Sequence, residues 1–138
     1  MVVTRRFRFK TQGDCDIHDI TEQVAGEVQA SGLKDGIATV FTPSATSAIT
    51  TLEFEPGLLN DIAAYWDRSV PIDIRYSHDF RWHDGNGHAH VRAALQGPSL
   101  TVPFADGKLI LGTWQQLIFL DFDNRPRDRE VVVQIIGE

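Results

Sequence analysis

The sequence holds a single cysteine in 138 residues. No disulfide can therefore close within the chain, and a lone thiol fits a reducing compartment. Cys15 lies in a polar turn with no lysine or arginine beside it, so nothing in the local sequence activates it as a nucleophile. A basic excess is also missing: Lys and Arg number 13 against 19 Asp and Glu, a net charge of −6. That balance excludes general nucleic-acid binding, which needs cations to neutralise phosphates, but leaves room for a local site taking a small phosphorylated ligand. No apolar run reaches the roughly 18 residues of a membrane span, and MVVTRRFRFK has no apolar stretch of signal-peptide length. The expectation is a cytoplasmic protein with no membrane partner. Apolar content of 42% and charged content of 23% are those of an ordinary globular chain. With no repeat, low-complexity tract or linker, a single domain over residues 1–138 is expected.

What the sequence does hold in excess is histidine in one place. The stretch Tyr76–Arg92, YSHDFRWHDGNGHAHVR, contains four of the five histidines. His78, His83, His88 and His90 stand there among Asp79, Asp84, Asn86, Arg81, Arg92 and Trp82. Such a density of imidazole points to a metal or phosphate site, the alternative being a polar loop with structural hydrogen bonds. In an extended segment His88 and His90 point the same way, which suits two ligands of one ion, with His78 or His83 as a third. On a helix the same two side chains would diverge by about 200°. Asp84-Gly85-Asn86-Gly87 is turn chemistry that would fold the chain back on itself.

Around that stretch the hydrophobic pattern predicts an α+β fold, a mostly antiparallel sheet packed with two or three helices and about seven strands. Val3 to Lys10 alternates, with Phe7 and Phe9 toward the core and Arg6, Arg8 and Lys10 away from it. Asp19 with Glu22 resembles a capping box, Ile20, Val24 and Val28 have helical spacing, and Gly32 sits at a C-cap position. Ile37–Phe41 and Ile49–Glu55 read as strands. Pro56-Gly57 ends the second, and Leu58–Trp66 resumes helical spacing. A short helix is expected over Val91–Leu95, then strands at Ser99–Phe104, Leu109–Leu111, Leu117–Phe122 and Glu130–Ile136. Leu117-Ile118-Phe119-Leu120 and Val131-Val132-Val133 are too apolar for strands with one wet face. A neighbouring subunit covering the second face would explain them.

Four further groups could contribute chemistry. Pro43–Ala48 is a run of small side chains in which Ser44, Thr46 and Ser47 offer hydroxyls; it reads either as an anion cradle or as a tight strand entry. Glu53 and Glu55 fall on one strand face, as a general base or metal-binding pair or as solvated carboxylates. Arg92 either pairs with phosphate or lies exposed on a helix. Gly112-Thr113-Trp114-Gln115 offers a ring for stacking, or a tryptophan for core packing.

Four segments together resemble the YjbQ-like family, also called the secondary thiamine-phosphate synthase family. They are Thr46-Ser47-Ala48 with Glu53-x-Glu55-Pro56; His78 with Gly85-Asn86-x-His88-x-His90; Gly97-Pro98-Ser99-Leu100-Thr101-Val102-Pro103; and Gly112-Thr113-Trp114-Gln115. Val132–Glu138 also fits. The resemblance implies a compact α+β subunit, a homotrimer, and a weak capacity to join a pyrimidine diphosphate to a thiazole phosphate. In that picture His78, His88 and His90 hold a divalent metal, zinc or magnesium, with Glu53 as a fourth ligand. Glu53, His78 and His88 form the catalytic set. Thr46, Ser47, Ser99 and Arg92 serve the phosphorylated ligand, and Trp114 with Gln115 walls its organic part. Many members carry a histidine where this chain has Ala45, a departure that requires a rebuilt site. The alternatives are a non-catalytic trimer binding a metal and a phosphometabolite, and a metal-assisted phosphate-ester hydrolase.

Overall fold

A computed structural model describes residues 1–138. Its strands are β1 (Val2–Thr11), β2 (Asp16–Asp19), β3 (Gly36–Phe41), β4 (Ser47–Leu52), β5 (Ser99–Ala105), β6 (Lys108–Leu109), β7 (Gln116–Asp121) and β8 (Arg127–Gly137). The helices are α1 (Thr21–Ser31), α2 (Pro56–Ser69), α3 (Ser77–Trp82) and α4 (Gly87–Gln96). All strand pairs are antiparallel, in a five-stranded sheet ordered β1-β8-β3-β5-β6 and a three-stranded sheet ordered β2-β7-β4. The α+β class is as expected, with four helices where the sequence led us to expect two or three.

Local sequence accounts for most of these elements. In β1 the alternation turns Phe7 and Phe9 toward the core and leaves Arg6, Arg8 and Lys10 exposed. Helix α1 begins where Asp19 Oδ1 accepts from Thr21 N–H at 3.0 Å and from its hydroxyl at 2.6 Å. It ends at Gly32, whose φ of 75° is the left-handed conformation glycine adopts without a Cβ clash. Helix α2 starts at Pro56 rather than Leu58. The Glu55 carboxylate accepts from Gly57 N–H at 2.9 Å and Leu58 N–H at 2.5 Å, satisfying two donors that a helix start leaves open.

Two apolar layers result. The inner face of the larger sheet (Val40, Val102, Val133, Ile135) packs on Val24 and Val28 of α1 and on Leu117 and Phe119 of β7. The opposite face of β7, Ile118 and Leu120, packs with Phe122 against Trp66 and Val70 near the end of α2 and against Ala89 and Ala93 of α4. Strand β7 is thus covered on both faces by its own chain, which explains Leu117–Leu120 without a partner subunit. Strand β8 differs. Val131 and Val133 are buried while Val132 is half-buried on the outer face, where Ile37, Phe41 and Ile136 are exposed.

Candidate functional site

The histidine stretch is helical where an extended segment was expected. His88 and His90 both lie on α4, which begins at Gly87, four residues before the expected start at Val91. The helix forms because Ala89 with Ala93, and His88 with Arg92, recur at i, i+4 and give one inward face. Gly87 is required at its start: a Cβ there would stand 2.5 Å from Tyr76 Cβ and 3.2 Å from Asp79 Oδ1. The paired-ligand reading of His88 and His90 is therefore corrected, because on a helix the two side chains diverge. His88 is only 2% exposed, its Nε2 has no partner, and burial followed by the Arg92 charge pushes its pKa down.

His90 turns the other way and meets His78, the ring centroids 4.1 Å apart at 36°. Burial and the neighbouring His78 lower the pKa of His90, favouring the neutral imidazole that can ligate a metal or move a proton. His78 Nδ1 is buried with no hydrogen-bond partner. It stands 3.7 Å from Asp79 Oδ1 and 3.6 Å from Asp84 Oδ1. Ligands held about 2.1 Å from a tetrahedral ion stand about 3.4 Å apart, so this spacing fits a small divalent cation. The His78, Asp79 and Asp84 ligand atoms all come within 4.8 Å of one another. Neither His88 nor His90 belongs to that group. Asp79 and Asp84 are the members sequence reasoning passed over, although Asp79 adjoins His78 and Asp84 opens the turn that folds back to it. His83 caps α3 in the left-handed conformation and borders a different cavity with Tyr76 and Phe80.

His90 also borders a cavity of about 320 Å³ lined by Ser44, Ala45, Ser47, Ala93, Ala94 and Pro98. Buried charge holds the small-residue wall of this cavity. Arg129 reaches Asp121 at 2.6 and 2.9 Å, and donates to Ser44 Oγ at 2.7 Å and Thr46 Oγ1 at 2.9 Å. Thr46 Oγ1 donates on to Asp123 at 3.0 Å, and Ser47 Oγ bonds Thr42 Oγ1 at 2.8 Å. Ser44 Oγ accepts from Arg129 and from Thr46 N–H, so its own proton is free to meet a ligand. Asp121, Asp123 and Arg129 come from β7, β8 and the turn between them, and were not singled out from sequence.

The remaining candidates lie elsewhere. Arg92 is 1% exposed, donates to Val70 O from Nε at 3.0 Å and Nη2 at 2.8 Å, and stands 3.5 Å from Asp67. Its assignment to phosphate is corrected, because the register of α4 rolls the guanidinium into the interior. Glu53, Trp114 and Gln115 share a cavity of about 430 Å³ with Thr51, Leu52, Gly112 and Thr113, and none of these residues borders the His90 cavity. Trp114 is 70% exposed, which rules out core packing within the chain. Ser99 is exposed at the start of β5 opposite Phe41.

Two curled antiparallel sheets packed with four helices place the chain in a class of small α+β proteins seen in solved structures. A YbjQ-like protein of unknown function from Sulfolobus solfataricus superposes with a TM-score of 0.89 at 31% identity, covering 100% of both chains. A conserved YjbQ/UPF0047-family protein from Clostridium acetobutylicum gives 0.87 at 40% identity, covering 96% of this chain and 99% of that one. The chain belongs to the family described as UPF0047 protein YjbQ-like, whose model matches residues 5–138. UPF0047 proteins from Archaeoglobus fulgidus and Methanothermobacter thermautotrophicus are 43% and 39% identical to it over 127 and 137 residues. These matches cover 92% and 99% of this chain and 96% and 94% of the relatives.

Proposed function

We propose that this chain is a small enzyme acting on a phosphorylated metabolite, with a divalent cation held by His78, Asp79 and Asp84. The reaction we assign is the one its family resemblance suggests, joining a pyrimidine diphosphate to a thiazole phosphate. The observation that carries the reading is the contact between His78 and His90, which links the carboxylate group to the cavity walled by Ser44 and Ser47. Two carboxylates with one imidazole suit magnesium or zinc, and such an ion, when bound, stabilises negative charge on a departing pyrophosphate. In that joining the thiazole nitrogen, which carries no proton, forms the new C–N bond as the C–O bond to pyrophosphate breaks. Within the cavity the N–H of neutral His90 and the free proton of Ser44 are placed to hydrogen-bond the departing phosphoryl oxygens. We further assign the protein to the cytoplasm, as a homotrimer assembled through the outer face of the larger sheet, where Ile37, Phe41 and Ile136 lie exposed.

A second reading is supported by Ala45, a methyl group in the cavity wall where the family resemblance leads one to expect a histidine. It takes the protein as a non-catalytic trimer that binds the metal and metabolite without turnover. Two measurements test the pair. Metal content of wild type, compared with His78→Ala and Asp84→Asn, is expected to fall in both variants; equal content in all three sinks the cation site. Product from the two thiamine precursors, lost in His90→Ala, supports the enzyme. Tight binding without product supports the second reading, and phosphate release from simple esters would instead mark a hydrolase.

A further inference from the structure

Asp84 borders a further cavity, of about 370 Å³, whose other walls are Asn86, Asn124, Arg125 and Arg127. No apolar side chain lines it. Such a concavity gains nothing from desolvating an apolar ligand and suits a charged one. Arg125 is exposed and carries no ion pair or hydrogen bond, so its whole donor fork is free. Arg127 spends Nε and Nη2 on Asp123 Oδ2, at 3.0 and 2.9 Å, and retains Nη1. Pro126 stiffens the turn that sets these two guanidiniums beside one space.

The buried member of the lining is Asn86, 4% exposed. Its Nδ2 donates to Asp123 Oδ1 at 3.2 Å. A carboxylate only accepts, so the amide orientation is fixed. Asn86 Oδ1 is left as a buried acceptor with no donor. The lining thus asks for two things at once: oxygens that accept from guanidinium and a hydroxyl that donates to an amide oxygen. We propose that this cavity binds a phosphorylated, hydroxyl-bearing small molecule, its phosphoryl oxygens held by Arg125 and Arg127 and its hydroxyl by Asn86.

Charge in the cavity sets the conditions for binding. Arg127 is already matched by Asp123, and Asp84 shares the lining with Arg125 and sets a negative charge in the same cavity. Removing the Asp84 charge therefore tightens anion binding, whether by substitution or by a cation held between Asp84 and His78. Anion binding needs neither an occupied cation site nor the reaction proposed above.

The test is calorimetric titration of the full chain with inorganic phosphate, an ion that carries both acceptor oxygens and a hydroxyl near neutral pH. Chelator is present throughout. Saturable binding is expected, weakened about tenfold in Arg125→Ala by loss of a charge-assisted contact. Because Arg125 is exposed and unpaired, that variant keeps the fold. Asp84→Asn is expected to bind phosphate more tightly, and sulfate, which has no hydroxyl, to bind more weakly than phosphate. Wild-type affinity in Arg125→Ala, weaker binding in Asp84→Asn, or equal affinity for sulfate each overturns the proposal. If His78→Ala loses metal while phosphate affinity holds under chelator, this site stands apart from the cation site. If thiamine precursors turn over while phosphate binding ignores Arg125, the reaction survives and this cavity falls.

Discussion

Arg129→Ala is the substitution whose cost the structure defines most fully. Asp121 is 0% exposed, and Arg129 holds both of its carboxylate oxygens, at 2.6 and 2.9 Å. Without the guanidinium, Asp121 keeps only the Thr11 hydroxyl at 2.6 Å and the Asp123 N–H at 3.0 Å. A carboxylate stranded in the interior costs about 3–5 kcal/mol when its partner is removed. With a urea dependence of about 2 kcal/mol per molar, the unfolding midpoint should fall by roughly 2 M. The same substitution frees Ser44 and Thr46, so the wall of the His90 cavity loosens along with the core. Urea unfolding followed by tryptophan fluorescence measures the first effect directly. Adding Asp121→Asn to Arg129→Ala removes the stranded charge and should restore part of the loss. A drop below about 1 kcal/mol, the usual value for an exposed ion pair, would refute the buried-charge reasoning.

Three further outcomes follow from the geometry. Gly87→Ala sets a Cβ 2.5 Å from Tyr76 Cβ, so thermal unfolding should show a loss of about 1–3 kcal/mol despite alanine's better helix propensity; an unchanged melting temperature would mean that α3 and α4 separate freely. Arg92→Ala should destabilise by about 2–4 kcal/mol while leaving the phosphate affinity of the folded protein unchanged, and weaker phosphate binding would return Arg92 to the ligand set. Burial alone would raise the pKa of Asp123, but the Asn124 N–H, the Asn86 amide, the Thr46 hydroxyl and Arg127 together hold it below the usual carboxylate range. Its stabilising contribution is therefore complete above the unfolded value, near pH ~3.9, and is lost as pH falls through the lower folded value. Urea midpoints at about pH 6 and about pH 3 should differ less in Asp123→Asn than in wild type, and an equal difference would exclude Asp123 from the acid response.

Legibility in the sequence followed the range of the interactions. The period-two alternation at Phe7 and Phe9, the 3.6 period at Ile20, Val24 and Val28, and Gly32 at the C-cap are local signals, and the structure keeps them. His88 and His90 misled because His-x-His after a glycine-rich turn reads as an extended pair when side chains alone are counted. The residues that decide for helix are Ala89 and Ala93, whose small size lets α4 lie on Ile118 and Leu120. The hydroxyls of Ser44 and Thr46 were visible as a motif, but their partners were not. Arg129 lies 85 positions from Ser44 and 83 from Thr46, and Asp123 lies 77 from Thr46. No periodicity reports a contact over that separation. The inward turn of Arg92 and the outward turn of Trp114 are likewise set by packing, which composition does not carry.

The place of β8 in the larger sheet has a consequence for synthesis. It lies between β1 and β3, pairing Val2 with Ile136 on one side and Ile37 with Ile136 on the other. Both neighbours leave the ribosome long before it does. At roughly 5–20 residues per second, β1 waits several seconds or more for its only partner. During that interval β1 and one edge of β3 are open to strands of other chains, and the alternating, exposed Arg6, Arg8 and Lys10 on β1 act as a charged guard against such pairing. The exposed basic residues of the first strand thus protect the nascent chain until β8 arrives.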